Sequence, residues 1–387
     1  MIKRWLKHLV WLLQYIWMAK GWQSDFFYLK FLCKFTMKDA FKTLLLSAAL
    51  AVHAAYADTK PLAFVSFSKG FISIYQLDDM SKIADIEVGD GARGIGISDD
   101  GKTLAVAIKA AGELLLIDVE SRKIKKRIAV GKNPEFVRIL NDRAFVAYEP
   151  SNQMASPAAD VSHQKKKPKE DDDDSTPAHV SVVDLKTGKK TADIEAGMET
   201  EGIEFSADGK LLLVTNESDE NVSIHDISTG KLVKKIDTKK HGLRPRGIKR
   251  SADGNTFAVT LELSDKLLIL NKSFEIQEVI TTGNVPYGVT FNAAGTEIYV
   301  ALAKAKAVQV FDSKSYTVKR QINVGDRCWH FTLTPDESKL IAACGRSNNL
   351  VVADTQTGKI LQDIASPGTP WGIITYPRST GSLDFKK

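Results

Sequence analysis

The chain has 387 residues, enough for one large domain or two ordinary ones, and a formal charge of +6. The excess is local: residues 1–57 hold eight Lys/Arg and two acids, leaving 45 basic and 45 acidic residues in 58–387. Net charge therefore excludes a nucleic-acid or anionic-membrane surface for the main body of the chain.

Residues 1–36 form an apolar, aromatic extension in which Lys7, His8 and Gln14 interrupt Trp5–Met18. It reads as sequence upstream of a true start at Met37, with a membrane anchor as the alternative. Residues 37–57 read as a secretory signal. Lys38 and Lys42 supply the charged start, Leu44–Val52 the apolar core, and Ala55-Tyr56-Ala57 the cleavage site. The core is too short to span a bilayer. Cleavage after Ala57 predicts an exported, periplasmic protein of residues 58–387 beginning at Asp58.

A unit of about 40 residues recurs through that protein. The clearest copy is Glu201–Asp237. Ile203 and Phe205 alternate with polar residues, as in a half-buried strand. Ser206–Gly209 is a turn, Leu211–Val214 an apolar second strand, Val222–Ile224 a third and Leu232–Ile236 a fourth. Copies begin at Arg93-Gly94, Glu135-Phe136, Glu201-Gly202, Arg246-Gly247, Tyr287-Gly288, Trp329-His330 and Trp371-Gly372. The seventh stops after one strand, Trp371–Tyr376, and the exported N-terminus supplies the missing three at Leu62–Phe67, Phe71–Gln76 and Ile83–Val88. The predicted fold is all-β: a seven-bladed β-propeller of four-stranded blades, with N- and C-terminal strands sharing the closing blade. That closure leaves no unpaired inner strand.

The insertion at 151–178 opposes Lys165–Lys169 with Asp171–Asp174 and lacks large aromatics, so it is expected to be disordered. It joins the second and third strands of blade two and would lie on the face of the channel mouth. His163 and His179 with the Asp run offer a weak metal site; a solvated loop is the plainer reading. Cys328 and Cys344 fall in one repeat. Hairpin pairing about Pro335–Ser338 sets Cys344 opposite Trp329, beside Cys328. A disulfide or two buried thiols both fit.

The residue that opens each unit belongs at the mouth of the central channel. Round the ring this position reads Arg93, Glu135, Glu201, Arg246, Tyr287, Trp329 and Trp371: a charged arc, then an aromatic one. His330 takes the place of the usual Gly, with Arg327 nearby, and His241 and Arg244, which precede the fourth blade, could extend the basic side. Aromatic faces beside Arg and Glu suit a small planar, polar or anionic ligand. The alternative is that the Trp pair wedges blades apart while Arg and Glu neutralise each other. Glu135 and Glu201 could work as an acid/base pair. No Ser/His/Asp set, metal-ligand cluster or phosphate-cradling loop occurs at these positions, so no catalytic residue, metal or cofactor is assigned. His225 falls in a third strand, away from the axis.

The unit resembles the YVTN-type propeller repeat, through Leu213-Val214-Thr215-Asn216 and Asn221-Val222-Ser223-Ile224, over residues 60–376. A closer likeness is to the exported propellers associated with PQQ-dependent alcohol catabolism. It rests on Asn133-Pro134-Glu135-Phe136, Glu199-Thr200-Glu201-Gly202, Arg244-Pro245-Arg246-Gly247, Trp329 with Thr334-Pro335-Asp336-Glu337, and Pro370-Trp371-Gly372. That resemblance implies an accessory role and carries over no catalytic residue. Haem d1-binding propellers and propeller lactonases share the architecture. The first would need an axial ligand such as His330, the second a metal cluster at the mouth. The expectation is a monomeric, non-enzymatic periplasmic propeller holding a small planar or anionic ligand, or a protein partner, at the mouth. The alternatives are a propeller enzyme (a lactonase-like hydrolase or a haem/cofactor-biosynthesis protein) and a pure interaction scaffold.

Overall fold

A computed structural model describes residues 61–149 and 176–384. The leader, the signal and nearly all of the charged insertion lie outside the described residues. Seven four-stranded antiparallel sheets stand in a ring. Blades one to six open with inner strands Ala92–Ile97, Pro134–Leu140, Thr200–Phe205, Pro245–Arg250, Pro286–Phe291 and Cys328–Leu333. The closing blade runs from Pro370–Tyr376 innermost through Leu62–Phe67 and Phe71–Gln76 to Lys82–Glu87. Each inner strand touches the next around the ring, including Pro370–Tyr376 against Ala92–Ile97. The expected architecture and its velcro-like closure are what the chain forms.

Burial explains the strand sequences. Second and third strands are covered by sheets on both sides and read as apolar runs, as in Leu212, Leu213 and Val214. Outer strands are wet on one side, so Leu232–Asp237 buries only Ile236. Inner strands depart from the expected half-burial: Glu204 is fully enclosed, because the channel side is filled as well as the inter-blade side.

Two devices set the mouth. First, every inner strand carries a β-bulge at the residue that opens its unit. In blade three Thr200 pairs with Asn216 and Gly202 with Thr215, leaving Glu201 outside the ladder. The same slip occurs in the other six. A bulge turns its side chain away from the alternation of the strand, here toward the axis. Two residues earlier the backbone is left-handed in each blade, at Gly91, Asn133, Glu199, Arg244, Val285, Arg327 and Thr369. For β-branched Val285 and Thr369 that conformation is strained.

Second, the Gly after the bulge lets neighbouring blades meet at the backbone. A Cβ on Gly94 would lie 2.6 Å from the Glu135 carbonyl, and Gly202, Gly247 and Gly288 face the next blade in the same way. Thr215 and Thr260 hydroxyls donate to the carbonyls of Arg246 and Tyr287 at 2.6 and 2.8 Å, pinning the next mouth residue.

Cys328 and Cys344 form a disulfide. They are direct partners in the ladder, and the bulge removes Trp329 from the register that the unbulged hairpin predicts. His225 is buried between strands, with Nε2 2.9 Å from the Ser223 hydroxyl.

The residues after Tyr376, for which the repeat makes no prediction, turn into the bore. Leu333 N donates to the Thr380 carbonyl at 2.8 Å and Ser382 N to the Phe331 carbonyl at 3.0 Å, extending blade six inward. Arg138, 1% exposed, donates to the carbonyls of Ile203 and Leu383. Lys249 Nζ donates to the Asp384 carbonyl at 2.7 Å. A short polar tail thus plugs the channel. Two buried basic side chains bind its backbone, which gives their N–H groups the hydrogen bonds burial requires.

Candidate functional site

The mouth is built in three rings of seven. The bulged residues form the innermost. The left-handed residues form a second. The residue just past each second strand forms a third: Ser68, Lys109, Glu149, Glu217, Glu262, Ala303 and Gly345. Sequence reading found the first ring and part of the second. The third was open to the same alignment, because it too varies while its framework repeats.

The charged arc is largely self-neutralised. Glu135 pairs with Arg93 and with Lys109 Nζ at 2.9 Å. Burial alone would raise the Glu135 carboxyl, but Arg93 and Lys109 outweigh it and hold it below its usual range. Arg246 reaches Glu201 at 3.1 Å, Glu217 at 2.7 Å and Glu262 at 2.9 Å. Arg244 meets Glu199 at 2.9 Å and also pairs with Glu217. Arg244 therefore does not extend a basic side; with Glu262 at 3.8 Å, three carboxylates absorb it. Acid outnumbers base here, so some carboxyls hold protons. Burial pushes Glu201 up to about 7, with Arg246 opposing. Burial raises Glu217 well above its ordinary value. It takes Glu149 to about 8, helped by the charges of Glu135, Glu201 and Glu199.

The aromatic arc is arranged differently. Tyr287 has two guanidinium groups against its ring, Arg246 at 4.3 Å and Arg327 at 5.8 Å from the ring centre. Its hydroxyl accepts from Arg327 at 3.0 Å. Arg327 also lies 5.6 Å over the Trp329 ring. Trp329 rests across Gly345, where any Cβ would collide with its ring. Trp371 is only 5% exposed and packs 4.4 Å from His330, with Arg93 6.0 Å above it. His330 lies one layer down, against Phe136 across the bore at 5.9 Å, its Nδ1 3.1 Å from the Ser382 hydroxyl. Phe136 and His330 replace the usual Gly, so they alone among the seven positions send a side chain into the bore. Burial pushes the His330 imidazole well below its usual range, and it stays neutral.

Two cavities open here. One, about 20 Å³, is lined by Glu201, Arg246, Tyr287, Trp329, His330 and Ser382 and has room for one water. The Ser382–His330 contact is not a nucleophile pair, because the Ser382 hydroxyl already accepts from Phe331 N and donates to the Phe331 carbonyl. The other cavity, about 210 Å³, lies outside Tyr287 between blades five and six, among Lys304, Lys306, Asp326, Arg327 and Arg346. Among the described residues no group of three His, Cys, Asp or Glu could hold a metal. His179 sits beside Asp193 at 3.3 Å and stacks on Tyr148. His163 and the Asp run lie outside the described residues. No described helix is long and apolar enough to cross a membrane.

Ring closure, blade number and a channel mouth lined by variable residues define a seven-bladed β-propeller. Within that class the chain belongs to the choice-of-anchor I domain family, whose model matches residues 110–340. No curated protein matches it. Among solved structures it is similar to a functionally unknown protein from Desulfotomaculum acetoxidans, with TM-score 0.66 and 18% identity over 81% of this chain and 98% of that one. It is also similar to hydrazine synthase from Kuenenia stuttgartiensis, with TM-score 0.61 and 17% identity over 74% and 90%. A third similar structure is provisionally described as a 6-phosphogluconolactonase from Bacteroides uniformis, with TM-score 0.63 and 16% identity over 82% and 100%. At these identities the likeness is one of fold.

Proposed function

We propose that this is an exported, non-enzymatic, monomeric propeller that binds a small planar anionic ligand on the aromatic arc of its mouth. One observation carries the reading: Arg93, Lys109, Arg244 and Arg246 are taken up by carboxylates, whereas Arg327 lies over Tyr287 and Trp329 beside an open cavity. A planar ligand could stack on Trp329 and meet the guanidinium edge there. A periplasmic accessory role beside a quinoprotein fits such a ligand and belongs to the same proposal.

The test is a thermal-shift panel of quinone- and haem-type planar ligands on the purified protein. A binder should raise the melting temperature by mass action. Trp329→Ala should abolish the rise. Gly345→Ala should weaken it without touching the ligand, because it dislodges the Trp329 ring. A binder whose effect survives both substitutions sinks the proposal.

An enzymatic reading has one feature in its favour, the Glu201 carboxyl near neutrality in a cavity with His330. It would require turnover that is lost in Glu201→Gln while binding persists. The one-water size of that cavity favours the binding role.

A further inference from the structure

The cavity between blades five and six differs from every other charged site on the mouth. Four cations surround it: Lys304, Lys306, Arg327 and Arg346. One acid lines it with them, Asp326, 3.6 Å from Lys306 in a pair that is half exposed on both sides; Glu262, outside the lining, is already engaged by Arg246 and Arg244 and feels the Arg327 charge as well. No described residue forms an ion pair with Lys304, Arg327 or Arg346. Arg327 bonds instead to the neutral Tyr287 hydroxyl, and its buried Nε has no hydrogen-bond partner.

The walls are held by backbone. Gly345 N donates to the Arg327 carbonyl at 3.1 Å and Arg346 N to the Asp326 carbonyl at 3.2 Å, while Ala303 N donates to the Val285 carbonyl at 2.9 Å. The disulfide anchors the strand that begins next to Arg327. Cations carried on this frame repel one another without a guest, and a bound anion would relieve that repulsion.

We propose that this cavity is an oxyanion site. Resting on the mouth reading above, it would hold the charged end of a ligand whose planar part lies on Trp329. With Asp326 set against Lys306 and Glu262 partly offsetting Arg327, the lining keeps a surplus of about two positive charges, which suits a guest with at least two negative charges. The shared chemistry is a multiply charged oxyanion carried on an aromatic ring, either a phosphate monoester or a polycarboxylate. Arg327 offers the fork such groups accept, and the lysines supply point charge.

The test is binding to the purified protein, by calorimetry or Trp fluorescence, of phenyl phosphate, benzene-1,3-dicarboxylate, neutral phenol and inorganic phosphate. One or both charged rings should bind at least about tenfold more tightly than phenol, and the stronger arm names the oxyanion. Raising the salt should erode the preference, since exposed charges are screened. The Lys304→Ala/Arg346→Ala double variant should lose about tenfold or more toward the charged rings, at an unchanged melting temperature, because both side chains are exposed. Phenol matching the charged rings, or the double variant binding them as wild type does, overturns the oxyanion site. If in that case Trp329→Ala still abolishes ring binding, the mouth reading survives alone. Conversely, inorganic phosphate that binds through Lys304 and Arg346 while no ring probe responds to Trp329→Ala supports the oxyanion site and removes the stacking partner.

Discussion

Glu149→Gln should make the protein more stable at high pH and leave it unchanged at low pH. Glu149 directly follows the second strand of blade two, and its carboxylate accepts from Asn133 Nδ2 at 3.0 Å. Burial first, then Glu135, Glu201 and Glu199, raise its pKa from 4.5 to about 8. The sign follows from proton counting. Between those two values the folded state binds a proton that the unfolded chain has released, so stability falls as pH rises from about 4.5 to about 8. At about 1.4 kcal/mol per pKa unit the full shift is worth at most ~5 kcal/mol. Rotation of the ionised carboxylate toward water offsets part of this, leaving a gain of about 2 kcal/mol at pH 8.5. Gln keeps the Asn133 bond and removes the charge. For a domain this large each kcal/mol moves the melting temperature by roughly 2 °C, so the expected gain is about 4 °C at pH 8.5 and about zero at pH 5. Differential scanning fluorimetry of both proteins across pH 4.5–9 measures it. Parallel profiles, or a variant less stable at pH 8.5, would refute the picture of a crowded, proton-holding carboxylate arc.

Arg246→Met should cost about 3–5 kcal/mol, because it leaves Glu201, Glu217 and Glu262 buried with fewer cations; urea unfolding reads this directly. Adding Glu217→Gln should restore part of the loss. Deleting residues 377–387 should lower the melting temperature and expose the bore to a hydrophobic dye, since Arg138 and Lys249 lose the carbonyls that solvate them. Deleting 371–387 should go further and cause aggregation, because the closing blade loses its inner strand and opens a sheet edge; unchanged melting in either truncation contradicts the plug. Reducing the Cys328–Cys344 disulfide removes a cross-link over a sequence separation of 16, worth up to ~3 kcal/mol. Melting with and without a phosphine reductant, using Cys328→Ser/Cys344→Ser as the control for the reductant, tests that.

Blade count, strand order and the shared closing blade were legible in the chain because they depend on local chemistry that repeats. Asp-Gly turns, apolar second strands and a Gly at the inter-blade contact are each dictated by neighbours within one unit or the next. The identity of the innermost ring was legible for the same reason: a variable residue inside a constant frame stands out. Its energetics were not. Which Arg meets which Glu depends on side chains from neighbouring blades converging at the bulges, and Glu217 and Glu262 stand more than ten residues from the ring residue Arg246 that they bind. Likewise the tail after Tyr376 reads as a polar end with no periodicity. Only the closed ring creates a bore whose buried Arg138 and Lys249 give that tail somewhere to go. The sequence alone therefore determined the propeller and the ring of positions at its mouth. The tertiary structure decided that the charged half of that ring is neutralised from within, leaving Arg327 and its neighbours on the aromatic side as the open charge.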